Sequence, residues 1–259
     1  MNLTRIHKFL AHNILGLKCS LKFRNQVNCV IQNYVSNGCD MRYNGEFFIL
    51  EYLLEHCQSF ADVGANRGEW SDRVLNLSKN VLTMHLFEPQ LKLYNELHTK
   101  FSSQSVNVYQ TPLSNEISEV KFIDEGRSSR ISSNSDKNNY LIKTDRLDNI
   151  VTESIDFIKV DCEGHDFKVI LGSEKLIEKG FNKFISFEYN DLWLEQSSSL
   201  LNCIEFFKEF NYKVYRIHHN KIVDFDYNLL GDYYRYSNFI AVRNTHTKHL
   251  KKITSSTKH

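Results

Sequence analysis

The chain is short of the features that place a protein most quickly. Its 259 residues include two prolines and ten glycines, and Lys+Arg 32 against Asp+Glu 31 leave a formal net charge of +1. Such a balance supplies no broad positive field, which argues against DNA or RNA as a default partner. Long apolar runs are missing too. The first twenty residues are interrupted by Arg5, His7, Lys8, His12 and Lys18, and no other window has the length of a membrane span. The six cysteines (Cys19, Cys29, Cys39, Cys57, Cys162, Cys203) contain no CxxC pair. With no export signal they read as reduced, packed thiols, and the expected location is cytoplasmic. No internal repeat is visible.

What is present is a core. A composition of 41% hydrophobic and 24% charged residues suits one α/β domain with an N-terminal extension. Apolar residues at helical spacing run from about Asn2 to Tyr34, and a stronger helix is expected over Glu46–Glu55. Then the pattern changes. Short buried strands are expected at Ser59–Val63, Val81–Phe87 and Val106–Gln110, each followed by a turn and helical spacing. Pro89 and Pro112 both follow expected strands, and Pro89 suits the first turn of a helix reaching Phe101. Val120–Ile123 reads as an edge strand, and Gly126 to Asn139 as a polar surface loop that could gate a site. Further strands are expected at Asp156–Val160 and Lys183–Glu188, with a closing pair at Tyr212–Ile217 and Phe239–Val242.

Alternation of this kind implies a Rossmann-like, open, mostly parallel sheet of seven strands with helices on both faces. One antiparallel strand is expected near the C-terminus. The expected divisions are an N-terminal helical extension or cap (1–45), a catalytic domain (46–245) and a basic flexible tail (246–259).

The turn Gly64-Ala-Asn-Arg-Gly68 lies between the first strand and its helix. Glycines there permit close backbone approach to a ligand, or simply reverse the chain. Glu88, at the end of the next strand, stands where an acid accepts hydrogen bonds from ribose hydroxyls; as a helix-start acid it would answer the dipole. A dinucleotide turn would need G-x-G-x-x-G, and Asn66 stands in its way. Asp62 would repel a pyrophosphate but suits a ligand carrying an ammonium or sulfonium.

Asp62-Val-Gly-Ala-Asn-Arg-Gly68, Phe87-Glu-Pro89, Leu147-Asp148, Ile155-Asp-Phe-Ile-Lys-Val-Asp-Cys-Glu-Gly-His165 and Ser186-Phe-Glu188 together resemble the motifs of FkbM-family methyltransferases. The resemblance runs from about Glu46 to Val242. It implies a class I methyltransferase using S-adenosylmethionine, acting on an oxygen of a sugar, peptide or other specialised metabolite, as in natural product biosynthesis. By that resemblance Asp62, Gly64, Asn66, Gly68 and Glu88 would bind the cofactor, and Asp161 is expected to line the same pocket and join them.

Methyl transfer to a hydroxyl needs in-line alignment and removal of a proton. His165, Asp161 and Glu163 follow the fourth main strand, where the catalytic end of such a sheet lies. His165 has the pKa range of a base near neutrality, with Asp161 or Glu163 orienting it or binding the acceptor. The same acids could instead cap the following helix, and Asp166 is expected to be a first-turn acid that answers its dipole. No metal site is assigned. The alternatives are a nucleotide-dependent Rossmann oxidoreductase and a non-catalytic cofactor-binding scaffold of the same fold. Oligomeric state is left open, a homodimer included.

Overall fold

The computed structural model describes residues 3–35, 38–78, 80–81, 83–102, 105–123, 126, 129–131 and 139–255. Most of the expected polar loop, Gly126 to Asn139, and the end of the expected basic tail lie outside them. The chain forms two compact units, Met1–Ser36 and Asn37–His259.

The first unit is helical: α1 (Leu3–Ala11) and α2 (Ile14–Val35). The single helix expected from Asn2 to Tyr34 is therefore two. The break falls at His12 and Asn13, where the Asn13 side chain accepts the backbone N–H of Leu15 at 2.9 Å, a local bond that competes with helix continuation.

The second unit begins with α3 (Glu46–Leu53) and is built on β1 (Ser59–Val63), α4 (Glu69–Leu77), β2 (Thr83–Phe87), α5 (Leu91–Lys100) and β3 (Val106–Tyr109). Next come β4 (Glu119–Ile123), β5 (Arg130–Ile131) and β6 (Asn139–Lys143), then α6 (Leu147–Ile150), β7 (Phe157–Val160), α7 (Asp166–Leu171) and α8 (Glu174–Glu178). The last part holds β8 (Phe184–Tyr189), α9 (Leu200–Glu209), β9 (Tyr212–His218), β10 (Lys221–Asp224), β11 (Ser237–Arg243) and β12 (Thr254–Ser255).

The main sheet has the order β12-β10-β9-β11-β8-β7-β1-β2-β3. Its inner seven strands, β9 to β3, match the expected sheet, with β11 antiparallel to both neighbours. Two short strands enlarge it to nine: β10 folds back on β9, and β12 adds to β10. β4 is not an edge strand of this sheet. It pairs with β5 and β6 in a separate three-stranded antiparallel sheet. Pro89 also falls outside its expected helix, because α5 starts at Leu91 with Gln90 at its cap.

Central strands β1, β7 and β8 are buried on both faces, as parallel strands covered by two helical layers must be. Successive residues enter different cores. Phe60, Phe157 and Phe184 join Trp70 and Leu50 on one side, while Val63, Val160 and Phe187 join Trp193 and Phe207 on the other. The register then fixes the catalytic end. Val63 pairs with Phe87 and with Val160, and Val160 pairs with Phe187. β1, β2 and β7 thus end level, the next residues (Gly64, Glu88 and Asp161) come out side by side, and Glu188 near the end of β8 stands at the same height.

Candidate active site

This edge of the sheet opens into a cavity of about 560 Å³. Asp62, Gly64, Asn66 and Glu88 line it on one side, and Asp161, Glu163, His165 and Glu188 on the other. All of the sequence-expected site residues except Gly68 line this one space.

Gly64 and Gly68 are required by the protein itself. Gly64 has φ +81°, and a Cβ there would lie 1.9 Å from the carbonyl oxygen of Asp161. The close approach is therefore between the ends of β1 and β7. Gly68 has φ +72° and caps α4, where a Cβ would meet Leu97 and Phe101 at 2.8 Å. It seats α4 against α5 and does not reach the cavity.

Glu88 is 3% exposed, with both oxygens engaged by backbone. Oε2 accepts the N–H of Asn66 at 2.8 Å and Oε1 that of Gln90 at 2.9 Å. Each carboxylate oxygen keeps a second lone pair for a ligand hydroxyl. Burial raises the Glu88 pKa to about 7, against the opposing pull of those two N–H groups.

Below the turn lies a buried charge cluster. Lys159 Nζ sits 3.0 Å from Asp161 Oδ2 and 3.7 Å from Asp62 Oδ1. Burial opposes its charge, yet Asp161, Asp62 and Glu46 together hold its pKa above the ordinary value. Asp62 accepts the Ser71 hydroxyl at 2.6 Å through Oδ2, while Oδ1 is buried with no hydrogen-bond partner. Around the cavity eight carboxyl residues face Arg67, Arg130 and Lys159. That excess favours a cationic ligand over a phosphorylated one.

A family profile described as "Methyltransferase FkbM domain" matches residues 62–214, more than half of the chain. The chain belongs to the FkbM methyltransferase family. S-adenosylmethionine is accordingly its cofactor, and the oxidoreductase alternative falls away. No curated protein matches it. Among solved structures it is similar to an FkbM methyltransferase from Methylobacillus flagellatus KT, at 15% identity and TM-score 0.46, covering 71% of this chain and 43% of that one. It thus spans less than half the length of that protein. It is also similar to a Streptococcus mutans protein classed provisionally as a methyltransferase and solved with SAH (11% identity, TM-score 0.44, 75% and 95% covered). A third is precorrin-6y C5,15-methyltransferase from Geobacter metallireducens GS-15 (13%, 0.43, 82% and 96%).

This FkbM methyltransferase has residues fit for a sulfonium nucleoside. Its carboxylate-rich wall suits the positive charge, Glu88 offers acceptors at the end of β2, and Phe87 and Leu113 add apolar lining.

The other half of the cavity holds His165 in a packed setting. His165 is 6% exposed and both ring nitrogens are occupied: Nδ1 lies 3.1 Å from Gln196 Oε1, and Nε2 lies 3.0 Å from the Ser114 hydroxyl. Since Gln196 Nε2 donates to the carbonyl of Ile131 at 3.0 Å, its Oε1 faces the ring and makes Nδ1 the donor. Burial lowers the His165 pKa to about 4. This histidine ties α7 to the Ser114 and Gln196 segments, and it lacks a free nitrogen for a substrate proton. Asp166, expected as a first-turn dipole acid, is buried and accepts the N–H of Gly164 at 3.1 Å, which fastens the turn before α7.

Glu163 is the contrasting residue. It is half-buried, lines the cavity, and is held at φ +48°, a region a non-glycine residue enters only under constraint. Burial first, then the neighbouring Asp161, raises its pKa to about 7 against the pull of Arg130. Lys159, Glu46 and Tyr236 also line the cavity and are not among the residues expected from the sequence. A lysine inside the apolar run Phe157-Ile-Lys-Val160 was the available signal, because a buried strand keeps a cation only when carboxylates face it.

Proposed function

We propose that this FkbM methyltransferase methylates a hydroxyl oxygen of a small sugar-, peptide- or metabolite-like acceptor in the cytoplasm, with Glu163 as the general base. S-adenosylmethionine supplies an electrophilic methyl group on a sulfonium. Asp62, Asn66 and Glu88 bind it at the ends of β1 and β2, and Gly64 and Gly68 keep that turn in shape. Asp161 orients Lys159 and closes the floor between the two halves of the cavity.

The single observation that supports the reading is the shared register of β1, β2, β7 and β8, with Asp62, Asn66, Glu88 and Glu163 all lining one cavity beyond it. A carboxyl with a pKa near 7 and an open face toward that space accepts a hydroxyl proton near neutrality. Asp191 also lines the cavity, and a carboxylate there disfavours an anionic acceptor, so a hydroxyl is preferred to a carboxylate. The test is transfer of labelled methyl from S-adenosylmethionine to a panel of hydroxyl and carboxyl compounds. Hydroxyl products that vanish in Glu163→Gln support the reading, and exclusive methyl-ester formation overturns it.

A further inference from the structure

The charges of this chain are segregated along its length. Residues 1–39 hold five basic residues (Arg5, Lys8, Lys18, Lys22, Arg24) and no acid, the first acid being Asp40. Residues 40–259 carry 27 Lys+Arg against 31 Asp+Glu. The near-neutral total therefore hides a basic segment joined to an acidic remainder.

Almost all of the basic segment lies in the unit formed by α1 and α2. At about 100° per residue, α1 sets Leu3, Ile6, Phe9 and Leu10 along one side and Lys8 on the other. Leu3 and Phe9 are 69% and 71% exposed, and on α2 Ile14, Leu15, Phe23 and Val30 are exposed by similar fractions. Large apolar side chains gathered in this density on one small helical unit mark a surface that another phase or molecule completes.

We propose that this unit docks on an anionic lipid surface. The apolar side of α1 enters the boundary between headgroups and acyl chains, and the lysines of the unit and Arg24 meet the lipid phosphates. Charge decides against a second copy as the occupant. With no acid in residues 1–39, two such segments would bring ten like charges together with no ion pair between them. An RNA would answer the charge but would leave the aliphatic Leu3, Ile14, Leu15 and Val30 in water, since bases stack on aromatic or guanidinium planes. The unit lies on the bilayer rather than across it, because no described helix is long and apolar enough to cross a membrane. The acidic remainder gains nothing from the same surface, which confines the contact to residues 1–39.

Co-sedimentation of the full chain with vesicles tests this. One set is phosphatidylcholine alone, and the other contains about a quarter phosphatidylglycerol. The protein should bind the anionic set at low salt and release as salt rises. Each basic residue near such a surface is worth roughly fivefold in affinity, so the triple reversal K18E/K22E/R24E should weaken binding on the order of a hundredfold or more. L3S/F9S should also lose binding, and helix content by circular dichroism unchanged from the wild type will show that each variant keeps α1 and α2. Equal binding to both vesicle sets, or to neither, overturns the proposal. So does a dimer by light scattering that F23S/V30S returns to monomer, which would make a second copy the occupant. Binding of an RNA oligomer that exceeds vesicle binding and survives L3S/F9S overturns it in favour of RNA.

Discussion

Glu88 accepts the backbone N–H of Asn66 at 2.8 Å, tying the turn after β1 to the end of β2. One carboxylate thereby shapes the cofactor turn and presents its remaining lone pairs to the cavity. Glu88→Ala should weaken S-adenosylmethionine binding by about 1–3 kcal/mol, the usual range for leaving buried polar partners unpaired. Calorimetry reads this directly, and unchanged affinity would remove Glu88 from the ribose hydroxyls.

The pH dependence of that binding follows from burial. Because the Glu88 pKa is raised to about 7, part of the population is protonated at neutrality. A cation prefers the ionised form, so binding must displace that proton below pH 7. Affinity should therefore fall as pH drops through about 7, by at most about tenfold per unit, and level off above it. Glu88→Gln should flatten the curve. A wild-type affinity constant from pH 6 to 8 would contradict this account.

The base assignment separates Glu163 from His165. Glu163→Gln should lower kcat by roughly 10²–10⁴-fold, the range for a positioned acid–base group. At saturating S-adenosylmethionine, its rate should also lose the limb that rises through about pH 7 in the wild type. His165→Asn should keep that limb. Loss of the limb in the histidine variant, with retention in Glu163→Gln, would return the role to His165.

His165 should instead govern acid stability. Its folded pKa of about 4 lies below the ordinary 6.5, so the unfolded chain binds the extra proton between those values. The stabilisation is whole above about pH 6.5 and is lost as pH falls toward 4, amounting to about 3 kcal/mol. Denaturant midpoints for wild type and His165→Asn should approach each other as pH falls through that window. A constant gap would show that the ring does not titrate with unfolding.

The two glycines of the cofactor turn should differ in tolerance. In Gly64→Ala the new methyl meets a fixed carbonyl at 1.9 Å, in a φ region hostile to alanine. The backbone of β1 or β7 must move, and a loss above about 3 kcal/mol is expected. Gly68→Ala meets the side chains of Leu97 and Phe101 at 2.8 Å, which can shift in part, and should lose about 1–2 kcal/mol. Thermal melts of the two variants check the order.

Much of the fold was legible in order along the chain. Buried runs such as Ser59–Val63 and Phe184–Tyr189, each next to a helix-period segment, specify parallel strands with covering helices, because period and burial are local properties. The break between α1 and α2 and the departure of β4 to a second sheet were not legible. The first turns on a single Asn13 side-chain bond, and the second on pairing with β6 about twenty residues away.

The site divides along the same line. Sequence by itself determined the chemical inventory, because a glycine turn, an acid after the next strand and an Asp-Cys-Glu-Gly-His run are read from neighbours in the chain. It also determined the family. Tertiary structure decided which of those groups are available. His165 and Glu163 stand two residues apart and looked interchangeable in the chain. Packing buried the ring between Gln196 and Ser114, whereas Glu163 lines the cavity from a left-handed backbone. The partners that consume a histidine nitrogen come from 31 and 51 residues away, and only the folded chain brings them within hydrogen-bond reach.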